Sequence, residues 1–138
     1  MKVIPYLSFA GNAEEALNFY VEALEVKIQF LNRYGDSPMA TTEEQKNKIL
    51  HARFTVGESL VMLSDGRPGE SYTGNNISLS IDFKVVTELR EKFDKLAAGG
   101  QITMPIADTF WGATFGMLTD KFGIQWMFNC DKEQDKQN

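Results

Sequence analysis

His51 is the one histidine of this chain, so any imidazole acid–base step near neutral pH has to run through it. Arg53 stands two residues further on and would share its face in an extended strand. A guanidinium there can fork onto a carboxylate or a phosphate. The structural alternatives are a histidine satisfied by a backbone carbonyl and an arginine solvated or paired with an acid. Trp111 and Gly112 form a third candidate, a ring to stack on a ligand beside a glycine that permits close backbone approach; packing and a dimer contact are the competing roles. The single cysteine, Cys130, has no cysteine or histidine near it in sequence and makes a poor nucleophile. Glu14 and Glu15 are consecutive on a helix start and diverge by about 100°, so they read as partners of the helix dipole and not as an acid/base pair.

The elements that must position these residues follow from periodicity. Residues 2–9 read as a strand, with Pro5 favouring an edge position or a bulge. Ala13, Ala16, Leu17, Tyr20 and Leu24 recur at helical spacing, so 13–24 is a helix with Asn12 as its N-cap. Residues 25–34 alternate, with Val26, Ile28 and Phe30 on one side. Residues 35–47 are polar and loop-like. Strands over 48–56 and 59–65 form a hairpin around Gly57-Glu58. In the first of them Leu50, Ala52, Phe54 and Val56 oppose His51, Arg53 and Thr55. Residues 66–75 are rich in turn formers and read as a lid or linker. A strand over 76–83 then sets Ile77, Leu79 and Ile81 against Asn76, Ser78 and Ser80. A helix over 85–97 ends at Gly99-Gly100, and strands cover 101–106, 112–119 and 124–130. The charged tail 131–138 reads as frayed.

This order is β-α-β-β-β twice. Phe9 and Phe19 are ten apart across the first strand–helix junction, as Phe83 and Phe93 are across the second, which agrees with an internal repeat. The expected fold is therefore α+β: two tandem βαβββ modules, at about 2–66 and 75–130, forming one domain over 1–130. A curved mixed sheet would carry its helices on the outer face. The small polar residues of strands 48–56 and 76–83 would line either a concave pocket or plain solvent.

Length and charge narrow the classes further. The chain has 138 residues, with 14 Lys+Arg against 19 Asp+Glu and a net charge of −5. That balance argues against wrapping nucleic acid. No apolar run approaches the roughly 18 residues of a membrane span. The N-terminus turns polar too soon for a signal peptide, so a soluble cytoplasmic domain is expected.

Three stretches carry a resemblance: YLSFAGNAEEALNFYVEAL at 6–24, KILHARFTVGESLVMLSD at 48–65 and DTFWGATFGMLTDKFGIQWMFN at 108–129, together with LAAGG at 96–100. With them the chain resembles the vicinal oxygen chelate superfamily of glyoxalase I and the bleomycin-resistance proteins. Within it, the chain is similar to the PhnB-like branch, often labelled 3-demethylubiquinone-9 3-methyltransferase. The resemblance implies paired βαβββ modules, a homodimer and a pocket role for His51; an exposed sheet edge at Pro5 would be a natural joining line for such a dimer. In the superfamily's metalloenzymes four side chains, usually His and Glu, hold a divalent cation. Those positions fall here on Pro5, Met62, Asn76 and Met127, which predicts no metal centre and no cofactor. The methyltransferase label lacks its own signature, because WGATFG and LAAGG are not strand-to-helix glycine turns that cradle an adenosyl cofactor.

The function expected from these residues is metal-independent binding of a small molecule, lined by His51, Arg53, Asn76, Ser78 and Trp111. Met62 and Met127, if inward, would make a soft apolar floor. The rivals are a lyase, isomerase or dioxygenase with a displaced metal site or with His51 as base, and a drug-sequestering resistance protein. Arg53 on that face favours an anionic or neutral ligand, a preference that Asp65 or Asp108 in the pocket would reverse.

Overall fold

The computed structural model describes residues 1–38, 41–67 and 69–132; the expected tail therefore lies outside them from residue 133 onward. The chain forms two compact units, Met1–Tyr72 and Thr73–Asn138, and the break between them falls inside the turn-rich stretch 66–75.

In the first unit, β1 (Tyr6–Phe9), α1 (Ala13–Leu24), β2 (Lys27–Arg33), β3 (Ile49–Val56) and β4 (Ser59–Asp65) follow in order. The sheet runs β1-β4-β3-β2, with β1 parallel to β4 and the other pairs antiparallel. Ala13, Ala16, Leu17, Tyr20, Ala23 and Leu24 form the buried stripe of α1, the helical recurrence read in the sequence. That stripe meets Leu7, Phe9, Ala52, Phe54, Val61 and Leu63 in the unit's core, and Tyr20 stacks on Phe54 at 6.4 Å.

The second unit repeats the plan with β5 (Leu79–Asp82), α2 (Val86–Ala97), β6 (Gln101–Asp108), β7 (Ala113–Thr119) and β8 (Gln125–Asp131), in sheet order β5-β8-β7-β6. The repeat extends to register. Tyr6 pairs with Met62 in the first sheet as Ser80 pairs with Met127 in the second. Leu89, Phe93 and Leu96 of α2 are buried in a core with Leu118, Trp126 and Phe128.

Four expectations need correction. The first strand begins at Tyr6, which leaves Pro5 just ahead of an edge strand. Asn12 makes no side-chain cap bond to α1; the Asp65 carboxylate accepts from Gly11 N and Ala13 N instead, at 2.8 and 3.0 Å. The strand expected over 76–83 shrinks to Leu79–Asp82, because Leu79↔Trp126 opens the ladder and the Ile77 carbonyl accepts from the Gln125 side chain. Asn76 and Ser78 thus precede the strand, and Ile77 is exposed. Finally, Val26, Ile28 and Phe30 do not share a side. A bulge at Gln29 shifts the register from Ile28↔Phe54 to Phe30↔Arg53. One extra residue reverses the alternation and re-aims the side chains beyond it.

Candidate functional site

Residues directly opposite on neighbouring strands point to the same face, so register alone maps the side of the first sheet away from its buried core. One rung runs Tyr6, Met62, Arg53, Phe30 across all four strands. The next pairs Asn32 with His51, and on the other side Leu60, Thr55 and Lys27 align. The opposite side of β3 carries Ala52 and Phe54, both fully buried, as the alternation of its sequence requires. His51 and Arg53 are half-buried on the open side, and Phe30 joins them because of the bulge.

Gln29, Phe30, His51 and Arg53 line a recess of about 350 Å³, within the range of roughly 300–1,000 Å³ usual for small-molecule sites. His51 lies between two rings, with Tyr6 stacked at 5.7 Å and Phe30 tilted at 6.1 Å. The Tyr6 hydroxyl is 3.0 Å from His51 Nδ1, a contact that orients the imidazole and couples its tautomer to the phenol. Asn32, opposite His51, has a buried side-chain oxygen with no donor among the described residues. Arg53 has no carboxylate partner among the described residues. The recess therefore has an aromatic side at Phe30 and His51 and a cationic end at Arg53.

The two carboxylates that would have reversed the ligand preference are engaged elsewhere. Asp65 is 2% exposed on the core side of β4, where it also accepts from Ile49 N at 2.9 Å. Asp108 accepts from the Thr114 hydroxyl and pairs with Lys132 at 3.1 Å. The Lys132 ammonium holds the Asp108 carboxyl below the ordinary aspartate value.

The remaining candidates belong to the second unit. Asn76 is exposed and Ser78 half-buried. Trp111 is 56% exposed in the turn between β6 and β7. Its ring packs edge-on against Phe110 and Phe115. Among the described residues no hydrogen bond or ring contact joins Trp111 to Asn76 or Ser78. Cys130 is buried, in keeping with a packing role.

The metal-ligand positions implied by the superfamily do not fit a hard divalent cation. Pro5 has no donor side chain, and its carbonyl accepts from Met62 N. Met62 offers a thioether and stands opposite the Arg53 cation. In the second sheet Met127 shares a rung with Ser80, Met117 and Met104, again with thioethers where carboxylates or imidazoles would be needed. Asn76 alone supplies an amide oxygen. Among the described residues no three of His, Cys, Asp or Glu come together as a metal-holding group.

Glu14 does more than face the helix dipole. Arg33 forks onto both its oxygens at 2.9 and 2.7 Å and also donates to the Asn47 carbonyl, which ties the start of α1 to the end of β2. The hydrogen bond from Arg33 holds the Glu14 pKa below its ordinary value. A lowered carboxylate pKa adds stability that is present above the unfolded value, about pH 4.3, and is lost as pH falls through the lower folded value. Both side chains are partly exposed, so the effect should stay below about 1 kcal/mol. Urea unfolding of wild type and Glu14→Gln should show that gap at pH 7 and a smaller one at pH 3.

A mixed four-stranded sheet with one helix, made twice in a chain of this length, defines a protein of the glyoxalase/bleomycin-resistance/dioxygenase fold. The family model described as 3-demethylubiquinone-9 3-methyltransferase matches residues 1–128, and the chain belongs to that PhnB-like family. Protein YjdN of Escherichia coli is 35% identical, covering 99% of this chain and 100% of its own. The crystal structure of PA1353 from Pseudomonas aeruginosa superposes with a TM-score of 0.86 at 39% identity, covering 96% of this chain and 99% of that one. The putative 3-demethylubiquinone-9 3-methyltransferase, PhnB protein, from Bacillus cereus gives 0.77 at 30% identity, with 94% and 99% covered.

Proposed function

We propose that this chain is a metal-independent small-molecule-binding protein of its family, with the open face of the first sheet as the principal ligand surface. The observation that carries this reading is the recess of Gln29, Phe30, His51 and Arg53, in which a guanidinium with no carboxylate partner among the described residues sits beside aromatic rings. Asn76, Ser78 and Trp111, all in the second unit, are proposed as further ligand-binding residues of that unit. The chain is further proposed to work in the cytoplasm as a homodimer. No described helix is long and apolar enough to cross a membrane.

Metal independence is tested on chelator-treated protein by thermal shift against Mg, Mn, Fe, Co, Ni and Zn, alongside metal analysis. A metal at a hundred times its dissociation constant would add about 2.7 kcal/mol to a protein that binds it only when folded. The expected result is no rise in Tm and no retained metal. A clear rise with one metal per chain would restore the reading of a metal-dependent lyase, isomerase or dioxygenase.

A further inference from the structure

The open face of the first sheet is unusual for an acidic chain. Its three mapped rungs carry two cations, Arg53 and Lys27, and no carboxylate, although the chain as a whole carries a net charge of −5. Phe30 stands directly opposite Arg53, where paired side chains start only about 4.5–5.5 Å apart. An anion held by the guanidinium therefore leaves whatever is attached to it against the Phe30 ring. Phe30 is 46% exposed, and its His51 neighbour continues the aromatic surface.

We infer that the recess takes an aryl carboxylate, with the carboxylate forked onto Arg53 and the ring directly attached to it lying on Phe30 and His51. This rests on the proposed reading of that face as a ligand site. A planar two-oxygen anion matches the fork of one guanidinium. A phosphate favours several converging donors, whereas Lys27 lies a rung away and is exposed. A flat ring suits the aromatic wall, since offset and edge-on ring contacts add to plain area burial.

The test is a set of titrations of the ¹⁵N-labelled full chain with benzoate, benzamide, cyclohexanecarboxylate, phenylphosphonate and inorganic phosphate, followed at the amides of Gln29, Phe30, His51 and Arg53. Benzoate should shift these amides and bind at least tenfold tighter than benzamide, and more tightly than cyclohexanecarboxylate or either phosphorus anion. Arg53→Met should erase the benzoate–benzamide difference. If that variant does not fold, Arg53→Lys, which keeps the charge but loses the fork, should reduce the difference. Phe30→Leu should erase the preference over cyclohexanecarboxylate. Equal binding of benzamide, or tighter binding of phenylphosphonate or phosphate at the same amides, overturns the carboxylate and leaves the site standing. Equal or tighter binding of cyclohexanecarboxylate overturns the ring. Silence at these amides with every probe overturns the site and the ligand class together.

Discussion

Replacing Asp65 by alanine should lower the unfolding free energy by about 3–5 kcal/mol, the range for leaving several buried groups without their charged partner. Asp65 is 2% exposed, and its two oxygens accept from three backbone N–H groups, those of Gly11, Ala13 and Ile49. Its own carbonyl accepts from the Tyr34 hydroxyl at 2.8 Å. One side chain on β4 thus fixes the turn into α1, the first residue of that helix and the first residue of β3. Water does not readily replace a carboxylate lost from such a position. Asp65→Asn keeps an oxygen for Gly11 and Ala13 but turns an amide N–H₂ toward Ile49 N, so it should recover part of the loss. Urea unfolding measures the size, and hydrogen exchange locates it, with protection lost at Gly11, Ala13 and Ile49. A change below 1 kcal/mol for alanine would mean that Asp65 does not anchor the unit.

That anchor was invisible in the sequence for a physical reason. Asn12 stands where a local cap should stand, and local rules assign the cap to it. The acceptor that reaches the helix start comes from more than fifty residues away. Long periodic segments were far more legible. The buried stripe of α1 is the recurrence of Ala13, Ala16, Leu17, Tyr20 and Leu24, and the turn at Gly57-Glu58 joins β3 to β4 as its glycine suggests. Legibility failed where one residue changed the register. The bulge at Gln29 has no compositional mark, and the end of the ladder at Leu79 depends on where β8 begins.

The candidate site divides the same way. His51 and Arg53 were readable because strict alternation in β3 sets them opposite Ala52 and Phe54. Tyr6 carries a weaker signal, the alternation of Tyr6 and Ser8 with Leu7 and Phe9, which are buried. Plain alternation groups Phe30 with Val26 and Ile28, and only the register shift puts it opposite Arg53. Alternation groups Asn76 with Ser78, but their segment precedes β5 and no strand there imposes it. The ring partners of Trp111 are its own neighbours Phe110 and Phe115, contacts that hold the β6–β7 turn whether or not a ligand uses it.

The second large effect is expected in the other unit. Phe128→Ala should cost about 3–5 kcal/mol, as truncation of a buried aromatic does when its surroundings cannot collapse. Phe128 is fully buried, with Phe83 stacked at 5.1 Å and Phe93 of α2 edge-on at 5.2 Å. These are the two phenylalanines whose spacing of ten marks the repeat, so in this half the spacing brings both rings onto one partner. Gly116 pairs with Phe128 across the sheet, and a Cβ at Gly116 would lie 2.9 Å from Phe93 Cε2. The helix therefore rests directly on backbone there, and no side chain at 116 is available to fill a hole at 128. Phe128→Leu should cost clearly less, because it retains most of the volume, and Gly116→Ala should also destabilise by crowding Phe93. The check is urea unfolding of the three variants at one temperature. A loss under about 1.5 kcal/mol for Phe128→Ala would mean that Phe83 and Phe93 close over the gap, and that the rings are not locked by the helix–sheet contact at Gly116.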